Sequence, residues 1–169
     1  MKFPYFPITL DVMPVALEFV VLKDQPYRVG DAEIRWRGMK HPGGCVSYQI
    51  KERNKRMIFS TDTELSEEDF EKNSENSEYF SHVDLLIMDS QYTLGEAIEK
   101  YDWGHSSYSF AVDFAVAWNI KNLVLFHHEP LYDDKKMFSI VKSSKWYLNH
   151  LEQKGVKIFL ALEQMEFDV

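Results

Sequence analysis

Two short apolar runs constrain the fold of this chain more than any other feature. Residues 83–88 (VDLLIM) and 123–126 (LVLF) are mostly hydrophobic and far too short to span a membrane. Runs of this kind are typical of strands that are buried on both faces of a sheet. Each run is followed at once by a polar residue, Asp89 or His127. The runs predict a layered α/β domain whose candidate functional residues lie where strands meet loops.

The remaining segments supply further strands and helices around these runs. The spacing of apolar residues predicts a helix over 106–118, and similar patterns predict helices over 92–100 and 133–154. Ser66 is a candidate helix cap in the acidic stretch 65–77. Other strands are predicted over 17–22, 32–36, 45–51, 56–60 and 156–162, with turn residues over 24–30. We predict one domain, residues 1–169.

Charge and cysteine content exclude several classes of protein. The formal net charge of -8 argues against a broad nucleic-acid interface and against binding to an anionic membrane. The single cysteine, Cys45, cannot form an internal disulfide, which fits a reducing compartment. Prolines and Asp11 interrupt any signal-peptide core near the start of the sequence. We expect a cytoplasmic protein.

His41 and Asp62 are candidate metal ligands that each have a simpler explanation. His41 precedes Pro-Gly-Gly, so a glycine-containing loop can aim its ring at a ligand or bond it to backbone. Asp62 follows the apolar strand MIFST, where a carboxylate can bridge two cations or cap the next turn. The residues themselves leave both alternatives open.

Histidines also follow a strand and precede a helix further along the chain. His127 and His128 are adjacent, so on a strand at most one of them faces a given site, and His128 is expected behind a ligand or in the core. In the sequence GHSS, Ser106 or Ser107 can cap the helix or help to bind an anionic substrate at its N-terminus. His105 there could protonate a leaving group, although an ordinary capped helix would also explain the motif.

Two acidic residues are candidates for supporting roles. Asp89 could orient a histidine from behind it or cap a turn. Glu64 is expected on the surface or next to the ligands. His82 and His150 have no supporting context and are interpreted as structural or exposed.

The segments HPGGCVSYQI, STDTE, VDLLIMDSQYT, WGHSSYSFAVDFA and LVLFHHEPLYDD occur in an order that resembles the metallo-β-lactamase superfamily. The resemblance covers about residues 18–134 and points to the metal-dependent hydrolases related to tRNA 3′-processing and phosphodiesterase enzymes. It implies the C-terminal portion of an αββα sandwich, with a mixed sheet and flanking helices.

The resemblance also implies roles for individual residues. His41, Asp62 and His127 would bind zinc, manganese or iron, with Asp62 between two ions and part of the catalytic machinery. His105 would assist cleavage of a phosphodiester. A turn residue follows the last histidine by three positions in that branch, and Pro130 stands there.

The family's HxHxDH motif does not occur in these 169 residues. We therefore expect an incomplete fold and an incomplete dinuclear site, so that the isolated chain could lack metal. A second copy of the chain or a separate N-terminal half is the expected partner. The expected substrate is a small phosphodiester. The alternatives are a non-catalytic remnant that serves as a binding or oligomerisation module, and a truncated reading frame.

Overall fold

A mixed sheet of seven strands, arranged in sequence order, forms the centre of the molecule. The structure is a computed structural model and describes residues 12, 14–23 and 26–168. The strands are β1 Tyr27–Val29, β2 Ala32–Met39, β3 Cys45–Glu52, β4 Lys55–Ser60, β5 Leu85–Asp89, β6 Asn122–Phe126 and β7 Lys157–Leu160. Neighbours from β1 to β4 are antiparallel, and neighbours from β4 to β7 are parallel.

The helices follow the capping signals in the sequence. They are α1 Glu67–Phe70, α2 Ser74–Phe80, α3 Leu94–Glu99, α4 Tyr108–Ala117 and α5 Asp134–His150. The predicted cap Ser66 stands at the N-cap of α1, and Asp133 caps α5 by accepting the amide N–H of Lys136. Helices α4 and α5 pack on the parallel strands, so the predicted α/β architecture is confirmed.

The two faces of the sheet differ in how well they are covered. Alternate residues of the parallel strands, among them Leu86, Met88 and Leu125, are fully buried in one cluster with Phe114 and Trp118 of the helical layer. The aromatic side chains of the opposite face are only half-buried: Phe59, Phe126 and Phe159. Because side chains alternate along a strand, these two sets belong to different faces. One face is a finished core, and the other retains accessible apolar surface.

The predicted strand over 17–22 is wrong. Residues 16–23 join no strand of the sheet, and Phe19 and Val21 are 77% and 76% exposed. An apolar β-branched run shows that a segment can pair, but a strand also needs a neighbour for its backbone hydrogen bonds. Among the described residues this segment has no such neighbour.

The predicted turn over 24–30 is correct only at its end. Tyr27–Val29 forms strand β1, and residues 24 and 25 lie outside the described part of the chain. The chain reverses at Gly30, whose φ of 58° is a left-handed conformation that glycine adopts freely. The other predicted strands and helices are confirmed to within a few residues at their ends. In the part of the chain described here, no helix is long and apolar enough to cross a membrane.

A network of hydrogen bonds anchors the start of α3. Thr93 caps the helix and donates its backbone N–H to the Glu96 carboxylate over 2.9 Å, while the hydroxyl of Tyr132 donates to the same carboxylate. Burial opposes the charged form of Glu96, but the bonds from Thr93 and Tyr132 outweigh it and lower its pKa to about 2. The ionised carboxylate therefore connects α3 to the loop before α5.

We expect Glu96→Gln to lower the free energy of unfolding near neutral pH and to lose this effect in acid. The folded-state pKa is about 2 against an ordinary value of 4.5, so the stabilisation is complete above about pH 4.5 and disappears as the pH falls toward 2. Urea unfolding from about pH 7 to about pH 3 measures the difference between the two proteins. Glu99→Gln, at an exposed position of the same helix, is the control. A difference that does not shrink in acid would contradict this explanation.

Candidate functional site

Four chain segments meet at one edge of the sheet. Strands β4, β5 and β6 run parallel, so Asp62, Asp89 and His127, which end or follow them, reach the same edge. Strand β3 is antiparallel to β4, so its start and the loop before it, which carries His41, lie there too. The predicted site residues at strand ends are thus brought together by the topology.

Asp62 and His127 both leave their strands in an unusual backbone conformation. Their φ angles are 52° and 56°, in the left-handed region that non-glycine residues rarely adopt. Such conformations cost free energy and are found repeatedly at functional sites. The left-handed turn also means that alternation along a strand does not govern the directions of His127 and His128.

Thr61 orients His127 toward Asp62. The Thr61 hydroxyl lies 2.8 Å from Nδ1 of His127, and Nε2 of the same ring lies 3.4 Å from a carboxylate oxygen of Asp62. A hydrogen-bond partner on one ring nitrogen fixes the orientation of the ring, and so the direction in which the other nitrogen can bind a ligand. Sequence reasoning missed Thr61, although a hydroxyl residue directly before the candidate Asp62 was a usable signal.

Asp89 holds His105 and the surrounding loops. Its carboxylate is fully buried, lies 2.9 Å from Nδ1 of His105, and accepts the backbone N–H groups of Thr63, Gln91 and Ser106 over 3.0–3.2 Å. The bond to Asp89 raises the pKa of His105, although burial of the ring opposes the charged form. In this structure Asp89 is therefore the residue that orients His105.

The ring of His105 is the centre of the histidine cluster. It stacks on His127 with 4.9 Å between ring centroids, and the edge of His41 meets it at 5.6 Å. His41 also packs against Gly104, where an added Cβ would lie only 2.2 Å from its ring. Nδ1 of His41 accepts the Gly43 N–H over 3.1 Å, so metal binding through Nε2 in the neutral ring requires that contact to open.

Glu64 and Lys40 fix the loop that carries His105. Glu64 is buried and accepts the Gly104 N–H over 3.0 Å and the Lys40 ammonium over 2.6 Å. Lys40 also pairs with Asp102 at 2.6 Å. Burial would lower the pKa of Lys40, but the bonds to Asp102 and Glu64 raise it. The sequence predicted Glu64 on the surface or near the ligands, and the surface alternative is wrong because the side chain is buried. Sequence reasoning did not identify Lys40.

Ser106 and Ser107 are buried and bonded within the protein. Ser106 donates its hydroxyl to the Thr63 carbonyl over 2.6 Å and accepts the Leu65 N–H, and Ser107 caps α4 by accepting the Phe110 N–H over 3.2 Å. The predicted cap is confirmed at Ser107. Contact of either serine with a substrate stays a prediction.

His128 lies outside the donor cluster of its neighbour. Its ring is half-buried, and burial lowers its pKa. Nε2 is buried without a hydrogen-bond partner among the described residues. The predicted supporting role behind a ligand stays untested.

Two groups of three side chains are placed to hold a metal ion. One consists of His41, Asp62 and His105, and the other of Asp89, His105 and His127, with ligand atoms within 4.8 Å of one another. Nitrogen and carboxylate donors of this kind suit zinc, manganese or iron, so the residues fit the divalent metal that the resemblance implies. The three predicted ligands do not form a single group: His41 and His127 fall in different ones, with Asp62 close to both.

The chain resembles two curated proteins, each described as ribonuclease Z. It is 48% identical over 52 residues to the protein of Sulfurisphaera tokodaii, which is 31% of this chain and 17% of that protein. It is 31% identical over 93 residues to the protein of Picrophilus torridus, which is 54% of this chain and 26% of that protein. The match thus spans about a quarter or less of these relatives. No family model matches the chain.

Solved structures give the wider likeness. The metallo-β-lactamase fold protein YhfI from Bacillus subtilis matches with a TM-score of 0.61 and 18% identity, over 85% of this chain and 52% of its own. Human tRNase Z, short form, matches with a TM-score of 0.55 and 14% identity, over 82% and 44%. Zinc-bound PqqB from Methylobacterium extorquens matches with a TM-score of 0.56 and 12% identity, over 89% of this chain and 55% of its own. The chain therefore has a portion of the metallo-β-lactamase fold, as predicted.

We expect Gly104→Ala to destabilise the protein by about 1–3 kcal/mol, because its φ of 96° disfavours any side chain and the new Cβ would clash with His41. Urea unfolding measures the loss. Gly155→Ala is the matched control, since a Cβ there meets open space and is expected to change stability by less than about 0.5 kcal/mol. Equal effects at the two glycines would show that the His41 contact does not constrain the loop.

Proposed function

We propose that this chain supplies part of a metal-dependent phosphodiesterase site. The observation that carries the proposal is the cluster at the sheet edge, in which Asp62 and three histidines converge while buried Asp89 fixes His105. An ordinary capped helix or turn does not require this convergence. The likeness to proteins described as ribonuclease Z supports the same chemistry.

His41, Asp62 and His127 are the proposed ligands. A divalent metal held there would polarise a phosphoryl oxygen and lower the pKa of a water molecule. Thr61 keeps His127 aimed at the site, and the left-handed backbone of Asp62 directs its carboxylate there. These residues would bind and orient the metal. For His41 to bind it through Nε2, the hydrogen bond from the Gly43 N–H to Nδ1 must open.

His105 is the proposed acid. In hydrolysis the oxygen of one water bonds to phosphorus while the ester P–O bond breaks, and its electron pair passes to the leaving oxygen. That oxygen takes a proton from Nε2 of His105, whose Nδ1 stays bonded to Asp89. The water gives one proton to a carboxylate of the site, for which Asp62 is placed. The products are a phosphate monoester and an alcohol.

Charge and composition support the proposed substrate and setting. A net charge of -8 disfavours a polyanion such as RNA, so we propose a small phosphodiester as the substrate. The single thiol of Cys45 donates to the Thr61 carbonyl over 3.0 Å and needs no disulfide partner. This arrangement supports a reducing, cytoplasmic setting.

We also propose that another polypeptide completes the site. Three ligands divided between two donor groups leave each proposed ion short of donors, and the HxHxDH pattern is absent from the 169 residues. The half-buried aromatic face of the sheet and the exposed Phe19 and Val21 provide apolar surface for such a partner. A second copy of the chain or a separate N-terminal half fits that surface.

We expect His127→Ala to weaken zinc binding by at least about tenfold, because it removes the ligand that Thr61 orients. Calorimetry and elemental mass spectrometry measure affinity and stoichiometry. His150→Ala, at an exposed position of α5, is the matched histidine control and should bind zinc like the unaltered chain. If His127→Ala changes neither metal content nor partner binding, the chain is a non-catalytic remnant.

We expect the chain alone to self-associate at micromolar concentration, since monomers rarely tolerate large exposed apolar patches. Light scattering coupled to size exclusion measures the mass. Phe19→Ser combined with Val21→Ser should reduce association, whereas Leu131→Ser, at a position 90% exposed in the loop before α5, should not. A single monomeric species would exclude a second copy of the chain as the partner.

A further inference from the structure

A cavity of about 210 Å³ opens beside His105, between α3 and the start of α4. Its apolar lining consists of Leu65, Leu94, Ala97, Ile98, Tyr101 and Phe110. His105 forms part of the same wall and also belongs to both candidate metal groups. One ring therefore connects the proposed reaction centre to an apolar chamber.

The serine and glutamate side chains in the wall are already hydrogen-bonded within the protein. The hydroxyls of Ser106 and Ser107 bond to backbone groups, and the Glu64 carboxylate bonds to Lys40 and Gly104. Among the described residues, no lysine or arginine lines the cavity, and His105 is the one basic side chain in its wall. Beyond contact with His105, a phosphate or other anion would lose its hydration without a compensating bond, so an uncharged group is the better occupant.

The shape and chemistry of the lining favour a flat ring. Tyr101, Phe110 and His105 offer aromatic surfaces, and the aliphatic side chains Leu94 and Ile98 complete the wall. Aromatic faces stack well on planar groups, and apolar pockets with few polar contacts bind the organic parts of ligands. The volume of about 210 Å³ suits a single ring system better than an extended chain.

The mouth of the cavity is open to solvent. Ile98 and Tyr101 are both 69% exposed, Leu94 is 45% exposed and Phe110 is 42% exposed. Apolar side chains grouped in this way around a cavity are typical of ligand sites. A ring bound between them would lie against His105, which also belongs to both candidate metal groups.

We propose that this cavity binds the leaving group of the substrate, and that the leaving group is a planar aromatic ring such as a nucleobase or a phenyl group. The inference rests on the proposed function, since it assigns the cavity to the side of the phosphorus where His105 protonates the departing oxygen. It makes Ala97 and Phe110 residues that determine specificity.

Binding of phenyl phosphate and of methyl phosphate to the zinc-loaded chain, followed by nitrogen-15 NMR, tests the proposal without turnover. The two probes share a phosphate and differ in the ring. We expect phenyl phosphate to bind at least about tenfold more tightly and to shift amide signals of residues 94–110. Equal affinities, or shifts confined to other parts of the chain, would overturn the proposal.

A pair of leucine substitutions on one helix separates filling of the cavity from other effects. Ala97→Leu places a side chain in the cavity and should weaken phenyl phosphate about tenfold while leaving methyl phosphate unchanged. Gly95→Leu adds the same group to α3 in open space and should affect neither probe. No effect of Ala97→Leu on phenyl phosphate would overturn the proposal.

Hydrolysis separates this inference from the proposed function. Selective binding of phenyl phosphate without metal-dependent cleavage of bis(4-nitrophenyl) phosphate, in the presence of a completing partner, would overturn the proposed function and leave the ring selectivity of the cavity standing. Metal-dependent cleavage that shows no preference for aryl over alkyl leaving groups, and no response to Ala97→Leu, would overturn the cavity assignment alone.

Discussion

The buried carboxylate of Asp89 is the interaction on which the site depends. A fully buried charge is costly unless hydrogen bonds satisfy it, and Asp89 meets that demand with three backbone amides and the ring of His105. Those amides belong to the loop after β4, the end of β5 and the segment before α4. One carboxylate thereby joins three segments of the chain. The hydrogen bond that helps to satisfy its buried charge also fixes the ring of His105.

Strained backbone and a missing side chain complete the arrangement. Asp62 and His127 hold left-handed conformations, and Gly104 lets the ring of His41 approach its backbone. Each of these features costs stability or flexibility in a free chain, and the finished core on the helical face of the sheet offsets the cost. The site therefore lies at the ends of the parallel strands and depends on the packing of those strands behind it.

Sequence predicted this architecture where local patterns are strong. The runs before Asp89 and His127 became β5 and β6, and Ser107 caps its helix as expected. The strand predicted over 17–22 is wrong, because strand pairing depends on a neighbouring strand that a local pattern cannot reveal. Thr61 and Lys40 were missed for a related reason: their partners, His127 and Glu64, are 66 and 24 residues away. Contacts between distant segments follow from the fold, which single residues do not specify.

The position of His105 limits how many roles it can perform at once. Asp89 occupies Nδ1, so only Nε2 remains to bind a metal or to give a proton to a leaving group. Membership of both candidate donor groups would permit the first role, and contact with the apolar cavity favours the second. Nε2 of His127 lies 3.4 Å from the Asp62 carboxylate, so His127 can serve as the metal ligand instead of His105. Both roles are filled at once when His127 binds the metal with Asp62 and Nε2 of His105 stays free for the substrate.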